Sequence, residues 1–207
     1  MNNRIIQSIF FLACLFIGNS AYTQESIEGK YTVINPPQPT QTGDKIEVLE
    51  VFWYGCPHCY SFEPHVEAWL EDLPEDVAFI RVPGVLNRGW IPHAKAFYTA
   101  EKLGIVDKIH RPLFDAIHKD KRNLFTEDEL MDFFEEHGVS SEEFLRVNNS
   151  KELETKIRQA YFLARDYKLT GVPSVVVNGK YLISAGQIRT FDEMIRVTNA
   201  LIERERK

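Results

Sequence analysis

Cysteine is the scarcest chemistry in this chain, with three in 207 residues, at positions 14, 56 and 59. So few thiols exclude a small scaffold stapled by disulfides. An excess of positive charge is missing too. Lys and Arg number 24 against 30 Asp and Glu, for a net charge of −6, which argues against a nucleic-acid binder because such a protein normally shows a basic patch or domain. The apolar run at the N-terminus is broken by Gln7 and Ser8 and is too short for a comfortable transmembrane helix. No internal repeat or low-complexity segment is evident. What remains is an ordinary globular composition, 44% hydrophobic and 26% charged, at a length suited to one domain, with or without an insertion.

The beginning of the chain reads as an export signal. Arg4 supplies a positive n-region, residues 5–17 are mostly apolar, and Gly18, Asn19, Ser20 and Ala21 are small or polar. This is a secretory signal peptide over residues 1–21, with cleavage after Ser20 or Ala21. Two rival readings are a lipoprotein signal, in which Leu12 and Ala13 precede an acylated Cys14, and an uncleaved membrane anchor. Cleavage removes Cys14 and leaves Cys56 and Cys59 as the only thiols, in a compartment that permits disulfides.

Residues 24–44 are polar and rich in proline, an extended arm with a short strand at residues 31–34. Residues 46–54 (IEVLEVFWY) are β-branched and aromatic, as suits a central strand covered on both faces. A helix opens at the Cys56-Pro57-His58-Cys59 run and extends to residue 73, with Pro57 at its first position and a kink at Pro64. A strand at residues 77–82 completes a βαβ unit with parallel strands. Residues 90–168 hold only helical patterns. Among them are a segment at 106–118 that Pro112 should divide in two, a capping box at Thr126 and Glu129, and a helix over 151–167 with Leu153, Ile157, Ala160, Tyr161 and Ala164 on one face. A hairpin then turns at Asn178-Gly179, the pair expected of a type I′ turn, and a last helix begins at Thr190. The fold class is therefore α/β, interrupted by an all-helical block.

The C-x-x-C pair carries the chemistry. Residues three apart share a helix face, close enough for a disulfide. Cys56 falls at the helix N-terminus, where unpaired N–H groups and the helix dipole favour negative charge. That lowers its pKa and makes it both a ready nucleophile and a good leaving group. His58, when protonated, adds positive charge beside the thiolate. Cys59, one turn inside, is less exposed and suited to resolving a mixed disulfide. Two blander readings remain. One is a structural staple, weak because so short a loop removes little chain entropy. The other is a metal site, for which His58 and His65 are nearby but a second ligand cluster is absent.

FWYGCPHCYSFEP together with GVPSVVVNGKY resembles the DsbA family of periplasmic thiol:disulfide oxidoreductases, within the thioredoxin-like superfamily. The resemblance covers nearly the whole chain after the signal. It implies a thioredoxin-like fold with an inserted all-helical domain: the first thioredoxin part at residues 22–89, the insertion at 90–168, the second part at 169–207. The family is the standard example of a low-pKa cysteine and an oxidising disulfide, so the resemblance implies a lowered Cys56 pKa and an oxidising Cys56–Cys59 pair. Gly171-Val172-Pro173 matches the family's cis-proline loop, which implies that Val172 offers its backbone to an extended substrate and that Pro173, lacking an N–H, donates nothing to the sulfurs. Glu50, flanked by apolar residues on the strand, matches the acidic residue that the family keeps beneath its active site. Arg81 on the neighbouring strand is its candidate partner, and solvation at a sheet end is the alternative. Glu47 is expected to be exposed, and His65, His93, His110, His118 and His137 to be surface or capping residues.

The sequence thus points to an enzyme that donates a Cys56–Cys59 disulfide to newly secreted proteins with cysteines, tuned by Pro57, His58 and Glu50 and binding substrate at Val172 and Pro173. The resemblance implies reoxidation by a quinone-linked membrane protein of the DsbB type. A monomer in the periplasm is expected, without cofactor, metal or nucleic acid. A disulfide isomerase or reductase of the same fold, or a peptide-binding chaperone, are the alternatives.

Overall fold

A computed structural model of the chain describes residues 26–207. The signal peptide and Cys14 lie outside the described residues. The elements run β1 (Thr32–Val33), β2 (Ile46–Phe52), α1 (Pro57–Glu71), β3 (Val77–Pro83), α2 (Ile91–Lys102), α3 (Val106–His118), α4 (Glu127–Glu136), α5 (Ser141–Asn148), α6 (Lys151–Asp166), β4 (Ser174–Val177), β5 (Tyr181–Ser184) and α7 (Phe191–Glu205). The sheet order is β1-β5-β4-β2-β3. β2 pairs parallel with β3, as a βαβ crossover through α1 requires, and antiparallel with β4.

All seven residues of β2 are buried, because helices cover both faces of the sheet. Leu49, Val51 and Val176 join one apolar cluster with Phe97 of α2 and Leu113 and Phe114 of α3. Val48, Val175, Val177 and Ile183 join the other, with Phe62 and Val66 of α1 and Met194, Val197 and Leu201 of α7. Glu50, between Leu49 and Val51, points with Val48 toward the α1 side.

Three expectations need correction. The segment at Pro112 is one helix, α3, not two. Pro112 removes a single N–H bond, but Ile109, His110, Leu113 and Phe114 are buried on either side of it, and that burial holds the axis together despite the loss. Tyr161 does not join the buried stripe of α6. Leu153, Ala160 and Ala164 do, while Tyr161 is 52% exposed. Glu47 is not exposed: it is 1% accessible, and its Oε2 accepts a 2.7 Å hydrogen bond from the Gln41 N–H. The cause is the proline-rich arm, which does not extend freely but folds back over this end of the sheet, its Gln38 N–H donating to the Gly179 carbonyl at 2.9 Å. The Asn35–Pro36 bond in this arm is cis.

The local signals at helix and turn boundaries act as their chemistry dictates. Thr126 and Glu129 form both halves of a capping box, and Asn178 (φ 50) and Gly179 (φ 65) take the two positive-φ positions of the type I′ turn. Gly179 has a second constraint, since a Cβ there would lie 2.1 Å from the Gln38 carbonyl oxygen. Gly104 has a similar φ of +69 with nothing within 4 Å. Gly104→Ala should therefore show only the left-handed backbone penalty of about 1 kcal/mol. Gly179→Ala should lose at least about 2 kcal/mol, because the arm must also shift. Urea unfolding of the two variants checks this. Equal losses would mean that the close approach of the arm contributes nothing.

Candidate active site

β2 delivers the chain to the C-terminal edge of the sheet, and Trp53, Tyr54 and Gly55 turn it into α1. A Cβ at Gly55 would lie 2.4 Å from the Trp53 indole, so any larger residue there would displace that ring. Cys56 is the N-cap, with an extended backbone (φ −91, ψ 115), and Pro57 occupies the first turn. The Cys56 sulfur takes the place of a capping oxygen: it accepts from the Cys59 N–H at 3.4 Å. No acidic side chain lies in this first turn to oppose the dipole. Cys56 is 8% exposed and Cys59 0%, and both are free thiols, so the structure describes the dithiol form.

The loop before β4 closes over the pair. The Val172–Pro173 bond is cis, and the Val172 carbonyl lies 3.5 Å from the Cys56 sulfur. Ser174 Oγ donates to the Gly171 carbonyl at 2.9 Å and braces the loop. Position 58 is exposed beside the sulfurs, at the rim of a groove of about 600 Å³ lined by His58, His65, Ile188, Phe191 and Met194.

The two thiols titrate in opposite directions. A hydrogen bond from the Cys59 thiol, then backbone N–H groups of Cys59 and His58 and the charge of His58, outweigh burial and lower Cys56 from 9.0 to about 6. Burial, then the hydrogen bond and charge of Cys56, push Cys59 well above 9.0, and the charge of Glu50 adds to this.

Glu50 is fully buried, and Arg81 Nε lies 3.3 Å from its Oε2. The contact lacks hydrogen-bond geometry, so neither Glu50 oxygen has a hydrogen-bond partner among the described residues. Burial first, then the charge of Glu63, raise Glu50 to about 8 against the pull of Arg81. The solvated alternative for Glu50 is thus excluded.

Sequence reasoning missed Glu63, His110 and Tyr54. Glu63 is 0% exposed; it accepts from Arg81 Nη2 at 2.9 Å and contacts His110 Nε2 at 3.1 Å. Burial works to raise Glu63, but His110 and Arg81 outweigh it and lower its pKa. The signal was present, because Cys59, Phe62, Glu63 and Val66 form the buried stripe of α1 at i, i+3, i+4 and i+7. A glutamate in such a stripe needs a partner. Two histidines expected at the surface are buried instead: His93, bonded to the Leu124 carbonyl at 2.7 Å, and His110. His118 is half-buried and bonds the Tyr54 carbonyl at 2.7 Å. Each lies on an apolar helix face whose packing draws it inward. His65 pairs with Asp192 at the surface and His137 caps α4 through the Phe133 carbonyl. Among the described residues no group of three or more His, Cys, Asp or Glu is placed to hold a metal ion, and no helix is long and apolar enough to cross a membrane.

Residues 81–196 match the family model described as a DSBA-like thioredoxin domain; Cys56 and Cys59 precede the matched segment. Relatives span them. The thiol:disulfide interchange protein DsbA of Pseudomonas aeruginosa is 41% identical over 100% of this chain and 98% of its own length. That of Azotobacter vinelandii is 42% identical over 86% of this chain and 83% of its own. The crystal structure of Pseudomonas aeruginosa DsbA superposes with a TM-score of 0.81 at 42% identity, covering 86% of this chain and 92% of that one. That of DsbA from Xylella fastidiosa does so at 0.80 and 34% identity, covering 86% and 95%.

The lowered Cys56 pKa makes stability depend on pH. Its folded value, about 6, lies below the unfolded 9.0, so between the two the unfolded chain binds more protons and stability rises with pH. The contribution is complete above the unfolded value and is lost as pH falls through about 6. At pH 7 it amounts to about 1 kcal/mol. Cys59, shifted upward, costs stability only in alkali, above its unfolded value. Lowering pH from 7 to 5 should therefore cost the dithiol form about 1 kcal/mol that the disulfide form, which has no titrating thiol, does not lose. Urea unfolding of both redox forms across this range measures it. Parallel pH dependences would show that Cys56 is not ionised at neutral pH.

Proposed function

Because the chain belongs to the DSBA-like thioredoxin-domain family of thiol:disulfide oxidoreductases, we propose that Cys56 and Cys59 are its redox pair, with Cys56 the sulfur that meets substrate. The enzyme itself is a thiol:disulfide oxidoreductase of oxidative folding, acting on proteins with cysteines, in a thioredoxin-like fold with a helical insertion. The proposed division takes residues 22–89 and 169–207 as the two thioredoxin parts and 90–168 as the insertion.

The observation that carries the reading is the asymmetry between the sulfurs: one at a helix N-terminus with a pKa near 6, the other buried and pushed upward. In the oxidised enzyme a substrate thiolate attacks the Cys56 sulfur. The Cys56–Cys59 bond breaks, its electron pair leaves on Cys59, and Cys59 takes up a proton. The mixed disulfide between substrate and Cys56 is then attacked, at its substrate sulfur, by a second substrate thiolate, and Cys56 leaves as a thiolate. Two electrons have passed from substrate to enzyme. Pro57 and His58 support the Cys56 thiolate. Glu50, raised to about 8, is protonated at neutral pH and supplies the proton that Cys59 needs. Val172 and Pro173 hold an extended substrate beside Cys56, which the 3.5 Å separation of the Val172 carbonyl from the sulfur supports, and the groove at His58 takes apolar substrate side chains.

The dithiol product must lose its electrons again, so we assign reoxidation to a quinone-linked membrane protein of the DsbB type. The signal-like residues 1–21 and the need for an oxidising compartment support a periplasmic location. The site is complete within one chain, which supports a monomer.

Two experiments test this reading. Cys59→Ala should accumulate disulfide-linked complexes with substrate proteins on non-reducing gels, and Cys56→Ala should accumulate none; trapping by the Cys56 variant would reverse the roles. A double Cys56→Ser, Cys59→Ser variant that kept full activity would replace the enzyme reading with a chaperone. In the second experiment, the oxidation rate of a dithiol peptide is followed from pH 5 to 9. An inflection near pH 8 is expected in the parent and not in Glu50→Gln. Superimposable profiles would remove Glu50 from the proton transfer.

A further inference from the structure

Glu63, His110 and Tyr54 take no part in the sulfur chemistry above, yet with Arg81 and Glu50 they form a contiguous polar cluster, buried except at the partly exposed Arg81. The Tyr54 hydroxyl lies 2.8 Å from His110 Nδ1, His110 Nε2 lies 3.1 Å from Glu63 Oε1, and Glu63 Oε2 accepts from Arg81 Nη2 at 2.9 Å. Arg81 Nε then lies 3.3 Å from Glu50. The cluster draws on four elements, since Glu50 is on β2, Glu63 on α1, Arg81 on β3 and His110 on α3. Donor and acceptor logic sets the proton positions. Burial holds His110 below the usual histidine range, so the ring is neutral and carries one hydrogen. An ionised carboxylate can only accept, so that hydrogen sits on Nε2 and donates to Glu63. Nδ1 is then a lone pair, and it accepts from the Tyr54 hydroxyl.

Two fully buried carboxylates share one cation. Both cannot be ionised beside a single arginine without a large desolvation cost, so one keeps a proton. Contact with Arg81 does not by itself decide which, because both touch it. The difference lies in a second donor, which Glu63 has and Glu50 lacks. We infer that His110 is a positioning residue that fixes the negative charge on Glu63 and thereby leaves Glu50 as the carboxyl that carries the exchangeable proton beneath Cys59. Tyr54 acts one step behind, occupying Nδ1 so that the ring hydrogen stays on Nε2. The charged groups facing His110 are Glu63 and Glu67 of α1, which favour its protonation, and Arg81 of β3, which opposes it; burial, with Arg81 on its side, prevails over the two glutamates. The inference rests on the reading of Glu50 as proton donor, and the test separates the two.

Carboxyl carbon shifts of Glu50 and Glu63, followed through pH by NMR in the reduced protein, read the charge placement without reference to activity. In the parent Glu50 should titrate near pH 8 and Glu63 below the usual carboxylate range. His110→Phe keeps an aromatic ring among Phe52, Phe97 and Phe114 but removes the donor. Its Glu50 midpoint should fall by about one pH unit or more while that of Glu63 rises, since a hydrogen bond to a charged group is worth that much. His110→Gln, whose amide can still donate to Glu63, should bring both back toward the parent. Tyr54→Phe should shift both in the same direction as His110→Phe and by less, and it decides the matter if the His110→Phe protein does not fold. An unchanged Glu50 midpoint in His110→Phe, or in Tyr54→Phe where that variant decides, overturns the inference. So does a glutamine variant that shifts as far as the phenylalanine one. A parent Glu50 that titrates as an ordinary carboxylate would sink the reading of Glu50 as well. A parent midpoint near 8 that no His110 variant moves rejects His110 alone.

Discussion

The N–H of Cys59 pointing at the Cys56 sulfur, 3.4 Å away, is the contact around which the rest of the molecule is arranged. A helix N-terminus always presents unsatisfied donors, and here a sulfur stands where serine or aspartate would ordinarily cap. Oxygen caps are satisfied permanently. A sulfur cap is satisfied best when it is a thiolate, because only then do the N–H groups and the dipole meet a full negative charge. The dithiol form gains from this contact what the disulfide form cannot, and a two-electron couple turns each tenfold gain in reduced-state stability into about 30 mV of oxidising power. Gly55, Pro57 and the loop at Val172 all serve the same geometry: they bring the chain into the helix at the correct angle, start it without wasting a donor, and cover the sulfur from above.

A helix start could be displayed on any sheet edge, but this one sits over a strand buried on both faces. β2 lies between β3 and β4, with Glu50 opposite Arg81 on one side and Val175 on the other. Ion pairs in such a place are poor sources of stability, since desolvation takes back most of the attraction, and apolar residues of similar volume would serve the core as well or better. The cluster of Glu50, Glu63, Arg81 and His110 is therefore better explained by chemistry than by packing. It is also cheaper than an unpaired charge would be, because each ionised member faces an opposite one within 3.3 Å.

The residues that were readable from the sequence are those whose role is set locally. The helix start at Pro57, the capping box at Thr126, the Asn178-Gly179 turn and the parallel pairing of β2 with β3 each depend on a few adjacent side chains and on short-range geometry. Glu50 was also readable, because a carboxylate in an otherwise apolar strand is conspicuous, and its partner lies directly across the register at Arg81. Glu47 shows the limit of that argument. It has the same setting in the strand, yet its environment is decided by the arm, and no local pattern says that Gln41 will donate to it. His110 failed for a similar reason: its neighbours Glu63 and Tyr54 stand 47 and 56 residues away in the chain. Pro112 misled in the opposite direction, since a strong local rule was overridden by the burial of the helix on both sides of it.

The burial of Cys59 imposes a further demand that the helix dipole cannot meet. A sulfur 0% exposed, one turn inside the helix and near Glu50, is a poor place for an anion, and its raised pKa expresses that directly. In the proposed reaction this sulfur is the one that accepts the electron pair when the disulfide opens. An exposed resolving cysteine could borrow a proton from water; Cys59, in the proposed role, needs a donor already inside. The donor must hold its proton at neutral pH, which an ordinary glutamate does not, and it must be able to release it without leaving an unpaired charge in the core. In the proposed role Glu50 meets the first condition through burial and the charge of Glu63, and Arg81, which it shares with Glu63, limits the cost of the second. A fully hydrogen-bonded salt bridge to Arg81 would drive its proton off too early, and no cation at all would hold it too tightly. The 3.3 Å contact without hydrogen-bond geometry lies between these limits, and the second carboxylate, by occupying the arginine's better donor, keeps it there.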